Sequence, residues 1–416
     1  MNIEFKKIGF CLLITFVIFS CTNKKNPIGF QEGPDPISIT IPYTLFSNFY
    51  SFEDSCRNSN SDKLIIGNYE SNDTFNKAIS LIKFSSLPDS FYEVSDVSLH
   101  FMIKNSHNFE VIDNTTLKIG KVISENWFET TVLWRSPTDS TEWMSPGEFS
   151  EADYELCENL EFTVDDDSVC ISLPDELLEN WIIADSVNYG LVLFSDEEDS
   201  FLEIHSSESS DDNTPKLYFD FRETEEDTVS TYNRTPTHDV FIYETDNDYS
   251  KWENQLILSN IQPIKMYMKF DLPDSIFTNE IDSDIQDTIL FIQRLTINKA
   301  DLILKNNGVN AYPLDGTIYI DPFIMISENI NLEDPSFPML SEDDYEDLYI
   351  SSSSDSLTSE EFKVDIIKIV QSFTSGEYEN HGVMLKSIYE NKDFIHLEFN
   401  LEPEIQITFV PPYLDE

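Results

Sequence analysis

The chain has 416 residues and a formal net charge of −53 at pH 7, from 78 acidic and 25 basic residues. A surface this acidic repels phosphate backbones, so nucleic-acid binding is excluded as a predicted function. The 40% apolar share is ample for packed cores, and plentiful Ile, Phe, Tyr and Thr beside scarce Gly favour strands over helices.

The N-terminus has the features of a secretion signal. Two lysines precede an apolar run at 8–19, which has the length of a signal-peptide core. Crossing a hydrocarbon core of about 30 Å would need about 20 apolar residues, so this run is too short to span. It ends in Val-Ile-Phe-Ser-Cys, which resembles the bacterial lipobox. The resemblance implies that residues 1–20 are a lipoprotein signal peptide, cleaved after Ser20, and that Cys21 carries lipid, palmitate among its acyl chains.

The segment after the cysteine indicates where the protein is held. Residues 21–36 are polar and contain several prolines, as expected of a lipidated tether. Several acyl chains anchor a protein stably where one does not. Thr22 stands where an inner-membrane retention signal would place Asp, so we expect sorting to the outer membrane, on its periplasmic or outer side. The alternative is a plain secretory signal in which Cys21 is incidental.

Short strand patterns recur in the same order in the two halves of the chain. Apolar stretches at 64–67, 78–84, 97–103 and 189–194 are matched by 256–258, 266–273, 300–304 and 381–385. One short helix is predicted in each half, from Asp175 and from Ile366. The period of roughly 190 residues far exceeds that of a solenoid repeat, so it indicates tandem domains.

The repeated strands predict the fold class and the domain bounds. Half-buried strands without βαβ alternation indicate an all-β protein of two tandem antiparallel jelly-roll-like β-sandwiches with few short helices. The first sandwich is predicted over 37–222 and the second over 237–416, joined by an acidic linker at 223–236.

Four segments of the first half together are similar to a known family. They are Lys-Leu-Ile-Ile-Gly at 63–67, Leu-Ile-Lys-Phe-Ser-Ser-Leu-Pro at 81–88, Trp-Phe-Glu-Thr-Thr-Val-Leu-Trp at 127–134 and Asn-Tyr-Gly at 188–190. In this order they resemble the DNRLRE domain, also classed as carbohydrate-binding module family 96. The resemblance implies a non-catalytic module that binds glycan. The second half lacks the Trp-containing motif and is predicted to be a divergent copy.

Three tryptophans are the candidates for stacking on sugar rings, because indole has flat apolar faces and a polar edge. Trp127 and Trp134 flank the motif and Trp143 lies in the loop that follows; Arg135 is the basic residue beside them. The alternative is that Trp127 and Trp134 pack in the core, and Trp143 is expected to be the more exposed of the three. Basic residues are thinly scattered, so a neutral glycan or a cell-surface protein suits the charge better than anionic alginate.

No motif of an enzyme is present, neither a nucleophile elbow nor a His-Glu-x-x-His pair nor a phosphate-binding glycine loop. We therefore predict a non-enzymatic protein, with an adhesion or structural stalk and a polysaccharide-cleaving enzyme as alternatives. Acidic clusters at 165–167, 196–199 and 343–344 could hold a structural Ca²⁺, which takes six to eight oxygen ligands. The alternative is that they are solvated loops, with no cofactor.

The cysteines that remain in the mature chain leave one question open. Cys56, Cys157 and Cys170 are an odd number for an oxidising compartment. Cys157 and Cys170 could form a disulfide across two neighbouring strands, or both could stay reduced and buried.

Overall fold

In the computed structural model of the chain, residues 34–412 are described, except 54–57, 72–73, 110–111, 185–187, 211, 245–250, 254–255, 261–263, 282–284, 286, 313–315, 328–344, 349, 351 and 389–393. The predicted signal peptide, Cys21, Cys56 and the acidic pair at 343–344 lie outside the described residues.

The described residues form antiparallel strands with a few short helices. Up to residue 243 the strands are β1 (Ile37–Ile41), β2 (Phe46–Glu53), β3 (Lys63–Ser71), β4 (Thr74–Lys83), β5 (Glu93–His107), β6 (Lys118–Val122), β7 (Tyr154–Leu156), β8 (Glu161–Asp165), β9 (Ser168–Ser172), β10 (Leu191–Phe194), β11 (Ser200–His205), β12 (Lys216–Arg222), β13 (Ser230–Arg234) and β14 (His238–Tyr243). The later ones are β15 (Lys251–Glu253), β16 (Leu256–Ser259), β17 (Ile264–Phe270), β18 (Thr296–Tyr312), β19 (Thr317–Met325), β20 (Tyr345–Glu346), β21 (Ser353–Ser356), β22 (Glu361–Asp365), β23 (Val383–Ser387), β24 (Phe394–Phe399) and β25 (Glu404–Val410). The helices are α1 (Asp175–Ile183), α2 (Asp274–Thr278), α3 (Thr288–Gln293) and α4 (Ile367–Ser375).

The first sandwich has two layers that share one long strand. β5 pairs with β12 and β9 along its first part and with β11 further on, so it runs from one layer into the other. The second layer continues from β11 through β3, β4, β10 and β6 to β7. β12 shows how the sequence produces this, because its buried residues Leu217, Phe219 and Phe221 alternate with exposed or half-buried ones. Together with Phe84, Phe101 and the α1 residue Trp181 they fill the core between the layers.

The second sandwich repeats this arrangement. Its long strand β18 pairs with β25 and β22 and then with β24. The buried residues Ile405, Ile407 and Phe409 of β25 correspond to the alternating set of β12. α4 packs against β18 and ends at Gly376, whose φ of 73° is the left-handed conformation common after helices. The predicted all-β class with two antiparallel sandwiches is confirmed.

The division of the chain between the sandwiches differs from the predicted bounds. β1 pairs with β25, and β2 pairs with β15 and β17, so 37–53 adds strands to the second sandwich. β13 pairs with β12, and β14 pairs with β4, so part of the predicted linker and the start of the predicted second domain belong to the first sandwich. Periodicity identifies a strand from its own residues, but the choice of partner depends on residues far away in the chain. We call the two sandwiches, with the strands that pair into them, unit 1 and unit 2.

Candidate functional site

The Trp-containing motif forms part of a hydrophobic layer on the outer face of unit 1. Trp127 is 0% exposed and its Nε1–H donates to the backbone carbonyl of Tyr189 at 2.7 Å. It packs with Val122, Val192 and Val240, which belong to β6, β10 and β14 of the same sheet. Trp127 is therefore a core residue, which was the alternative to the prediction that it stacks on a sugar ring.

The expectation that Trp143 is the exposed tryptophan is wrong. It is 2% exposed, its Nε1–H donates to the carbonyl of Leu133 at 3.1 Å, and its ring meets that of Phe149 edge-on at 4.9 Å. The loop that carries it folds back over the sheet, so its indole is sandwiched in the same outer layer as Trp127. No flat face of Trp143 is left for a sugar ring.

Asp153 holds this loop in place. The residue is 0% exposed, and its carboxylate accepts the N–H of Met144 at 2.8 Å and both the N–H and the hydroxyl of Ser150 at 2.9 and 3.1 Å. Its own carbonyl accepts the N–H of Ile123 at 2.8 Å, which ties the end of the loop to its beginning. A buried carboxylate with this many donors fixes the loop over the sheet.

Beside the loop lies a cleft of about 300 Å³, which we call the outer cleft. Four strands, β4, β6, β7 and β10, and the end of the loop supply its walls. Its lining residues are Lys77, Ile79, Lys118, Trp134, Glu148, Phe149, Ser150, Glu151, Tyr154, Leu156, Phe194, Asp196 and Glu244. Of the four residues predicted to bind ligand, Trp134 lines the cleft, while Trp127, Trp143 and the half-buried Arg135 do not.

One wall of the outer cleft is aromatic. Tyr154 stacks on Phe149, with ring centres 5.7 Å apart and planes 13° apart, and contacts the ring of Phe194 at 5.0 Å. Trp134, only 7% exposed, meets Phe149 edge-on. Gly120 makes room for this arrangement, because a Cβ there would lie 2.7 Å from Cδ2 of Tyr154. Tyr154 is half-buried and gives the wall its accessible ring and hydroxyl.

Charged groups also line the cleft. The ammonium groups of Lys77 and Lys118 lie 5.7 and 6.0 Å from the ring centre of Phe194, and both form ion pairs with Asp196. The cleft also contains Glu148, Glu151 and Glu244, so four carboxylates face two lysines.

The hydroxyl of Tyr154 is a neutral hydrogen-bonding group in this cleft. Burial, followed by the negative charges of Glu151 and Asp196, raises the pKa of Tyr154 to about 12. The phenol therefore keeps its proton throughout the physiological range and can both donate and accept a hydrogen bond.

Sequence reasoning missed Tyr154, Phe149, Lys77 and Phe194, which line the outer cleft. In the sequence, nothing marks Tyr154 as a site residue except its residue type, and it begins a strand of only three residues. Its importance comes from Gly120, which lies on a strand more than thirty residues earlier and pairs with Leu156. A tryptophan is an obvious candidate by type, but burial here depends on partners that no local pattern specifies.

A second group of titratable residues lies where the motif meets β14. The carboxylate of Glu129 is 3.6 Å from Nδ1 of His238, and Asp239 accepts hydrogen bonds from the N–H and hydroxyl of Ser207 at 2.7 and 2.6 Å. Burial, with the charges of Asp239 and Glu208, raises the pKa of Glu129 to about 7. Burial also raises the pKa of Asp239 to about 6, against the hydrogen bonds from Ser207.

Cys170 and His100 form a further contact, with Sγ and Nε2 3.1 Å apart. Burial raises the pKa of Cys170 and lowers that of His100, which favours the neutral thiol and neutral imidazole. An activated cysteine needs the opposite shift of its pKa, so this pair lacks the electrostatics of a nucleophile. Cys157 and Cys170 are both free thiols in the structure.

In the described part of the chain, no group of three or more His, Cys, Asp or Glu side chains is arranged to hold a metal ion. The clusters at 165–167 and 196–199 lie in this part, and the exposed carboxylates of the first flank a turn between β8 and β9.

The corresponding face of unit 2 is built differently. In unit 1, Gly120 lies opposite Val192 in the strand pairing. At the matching place in unit 2, Phe323 lies opposite Met384, so a phenylalanine occupies the position of the glycine. Tyr345 pairs with Met325 as Tyr154 pairs with Val122, and the rings of Tyr345 and Phe323 meet edge-on at 5.2 Å. Lys386 lies over Phe323, 4.7 Å from its ring centre.

The chain matches no protein-family description, no curated protein and no solved structure at a significant level. Among the described residues, no helix has the length and apolar character needed to cross a membrane.

Proposed function

We propose that the chain is a non-catalytic, lipid-anchored protein of the cell envelope that binds carbohydrate in the outer cleft of unit 1. The observation that carries this proposal is the pairing of an aromatic wall, centred on Tyr154, with a wall of lysines and carboxylates. Sugars present apolar ring faces and hydroxyl edges, and sites of this kind combine apolar surface with a few placed polar groups.

The charge of the cleft favours a neutral glycan. Four carboxylates face two lysines, and Asp196 already pairs with both of those lysines. An anionic sugar such as a uronate would meet net repulsion, whereas sugar hydroxyls can donate to the carboxylates and accept from the ammonium groups. The cleft therefore agrees with the charge of the whole chain.

The resemblance to the DNRLRE domain supports the same proposal, with altered roles for its tryptophans. The segment at 127–134 lies under the loop that ends at Asp153, and of its two tryptophans only Trp134 reaches the cleft. In this proposal Trp127 and Trp143 support the layer from below, while Tyr154 and Trp134 provide the surface for the sugar. Arg135 is not used.

Binding to immobilised glycans would test the proposal. The mature chain from residue 22, made without lipid, should be retained by at least one member of a broad panel of neutral glycans in affinity electrophoresis. Tyr154→Ala should reduce that retention at least tenfold, because the variant loses the accessible ring and its hydroxyl. Tyr345→Ala, at the matching position of unit 2, should leave it unchanged. Loss of retention in both variants, or no retention of the unchanged chain by any glycan, would refute the proposal.

The alternative is an adhesion or stalk protein whose ligand is another protein. It is favoured by the way strands of each half complete the other unit, because a chain linked in this manner resists being pulled apart. If the glycan panel is negative and a surface protein is retained instead, this alternative replaces the first. Release of reducing ends from a bound polysaccharide would instead favour a cleaving enzyme.

A further inference from the structure

Two strand pairs from different halves of the chain occupy equivalent positions in the two units. β13 pairs with β12 so that Ser230 is opposite Phe221, the sixth residue of that strand. β1 pairs with β25 so that Ile37 is opposite Phe409, again the sixth residue. The register of the two pairings is therefore the same.

The second strand of each pair is also equivalently placed. β14 lies against β4, with His238 opposite Lys83 and Phe241 opposite Ser80. β2 lies against β17, with Asn48 opposite Lys269 and Ser51 opposite Met266. Lys83 and Lys269 each precede the last phenylalanine of the repeated strand, so they are matching residues of the two repeats.

The chain passes between the units twice. After β2 it enters unit 1 at Asn58, whose side chain donates to the carbonyl of Phe241 at 2.8 Å and accepts from the hydroxyl of Tyr243 at 3.0 Å. After β14 it returns to unit 2 as β15, which pairs with β2. The residues at 54–57 and 245–250 are thus the two covalent connections between the units.

We propose that the two tandem repeats have exchanged their N-terminal strand pairs reciprocally. Each repeat begins with a pair of strands, β1–β2 or β13–β14, and each pair completes the sheets of the other repeat. Unit 1 is consequently one continuous stretch of chain, from β3 to β14, joined to unit 2 at both ends, and the segment that follows the predicted lipid tether is built into unit 2 and not into unit 1.

One cross-strand contact shows how each pair is suited to its own position. In unit 1, Ser80 donates to the carbonyl of Ile65 at 2.8 Å, and the buried Phe241 stands opposite it. In unit 2 the sizes are reversed, because Ser51 on the inserted strand donates to the carbonyl of Ile257 at 3.0 Å and Met266 stands opposite.

Ile65 and Ile257 are matching residues, because Ile65 pairs with Glu203 as Ile257 pairs with Glu398. A serine hydroxyl therefore donates to the same carbonyl in both units, but the serine lies on the repeat's own strand in unit 1 and on the inserted strand in unit 2. With the pairs interchanged, Phe241 would face Met266, and Ser51 would face Ser80. The first combination is overpacked, and the second leaves a cavity. This reversal of large and small residues specifies which pair enters which unit.

A specific protease site would test the exchange in the full mature chain. If the site is placed in the exposed segment 223–229, the cut chain should still elute as one particle of full size, because each half supplies strands to the other unit. A matched variant with sites at both 54–57 and 245–250 should release unit 1 from unit 2. The proposal is overturned if the single cut separates the halves, or if the two digests behave alike.

Exchanging the residues of the cross-strand contact tests the specificity. Ser51→Phe and Met266→Ser should each lower the melting temperature of unit 2. The double variant, which copies the Phe241–Ser80 arrangement of unit 1, should melt closer to the unchanged chain than either single variant does. Strictly additive shifts would show that the contact does not determine the pairing.

Discussion

Asn188 and Asn380 make the same hydrogen bond in the two units. The Nδ2 of Asn188 donates to the backbone carbonyl of Phe84 at 2.7 Å, and that of Asn380 donates to the carbonyl of Phe270 at 2.7 Å. In each case the glycine two residues later has a positive φ, 87° at Gly190 and 102° at Gly382. This turn precedes a central strand of the sheet, β10 or β23, and has the same geometry in both repeats.

Loss of this turn should destabilise the unit that contains it. Asn188→Ala leaves the buried carbonyl of Phe84 without its donor, which costs about 1–3 kcal/mol. Gly190→Ala should cost more, because the added Cβ would lie 2.4 Å from the carbonyl oxygen of Ile82 in a backbone conformation that alanine avoids. Chemical denaturation followed by tryptophan fluorescence measures both effects. Asn380→Ala is the matched control, and its effect should appear in unit 2, which contains Trp252 alone of the tryptophans.

Replacement of Asp153 should open the outer layer of unit 1 without unfolding the sandwich beneath it. Asp153→Ala removes the acceptor of three donors in the loop, so we expect a loss of about 2–4 kcal/mol from bonds to a buried charged group. The fluorescence of Trp143 should shift to longer wavelength as its indole meets water. Glu151→Ala, two residues earlier and exposed, is the control and should leave the spectrum unchanged. An unchanged spectrum in Asp153→Ala would show that the loop is held by its apolar contacts alone.

The sequence predicted the class of the fold but not the partners of every strand. β12 and β25 are recognisable because buried residues alternate with half-buried or exposed ones over their whole length, and the Asn-x-Gly turn is marked by its own residues. The exchange of β1–β2 for β13–β14 cannot be found from periodicity. Each pair has the same register in its own unit, so the pattern of buried residues does not tell the two pairs apart. It is decided by contacts such as Phe241 with Ser80, between residues more than 150 positions apart.

The candidate site was predicted only in part for a related reason. The Trp motif lies on the face of unit 1 that carries the outer cleft, and Trp134 lines that cleft. Trp143 was misplaced because its burial depends on the hydrogen bonds of Asp153, which turn the loop back over the sheet. Tyr154 was missed because its position depends on the room left by the absent side chain of Gly120.

The lipid anchor remains a sequence-based prediction, and a single substitution tests it. Cys21→Ala removes the thiol that would form the thioether to lipid, so labelling with a palmitate analogue should disappear and the precursor should stay uncleaved or become soluble. Cys56→Ala is the matched control and should be labelled as the unchanged chain is. Membrane fractionation checks both variants, and unchanged partition of Cys21→Ala into the membrane would contradict the prediction.

Lys63 and Glu203 form a buried ion pair between β3 and β11, and breaking it should be costly. Lys63→Met leaves an uncompensated buried carboxylate, for which we expect a loss of about 3–5 kcal/mol. The double variant Lys63→Met/Glu203→Leu should recover most of that loss, because two apolar residues of similar size need no partner. Thermal unfolding measures the series. A double variant as unstable as the single one would show that the uncompensated charge of Glu203 is not the cause of the loss.

The half-buried carboxylate of Glu129 should make unit 1 less stable as the pH rises. Its pKa is raised from 4.5 to about 7, mainly by burial and then by the charges of Asp239 and Glu208. Between these two values the folded chain keeps a proton that the unfolded chain has released, so the free energy of unfolding falls with increasing pH. Glu129→Gln removes this dependence. The stability of the variant relative to the unchanged chain should therefore increase from pH 4.5 to about 7 and then level off, as measured by denaturant midpoints.

Glu125→Gln, which removes the same charge from an exposed neighbour, is the control for this prediction. If both variants follow the same curve, the general charge of the chain is responsible and not the burial of Glu129.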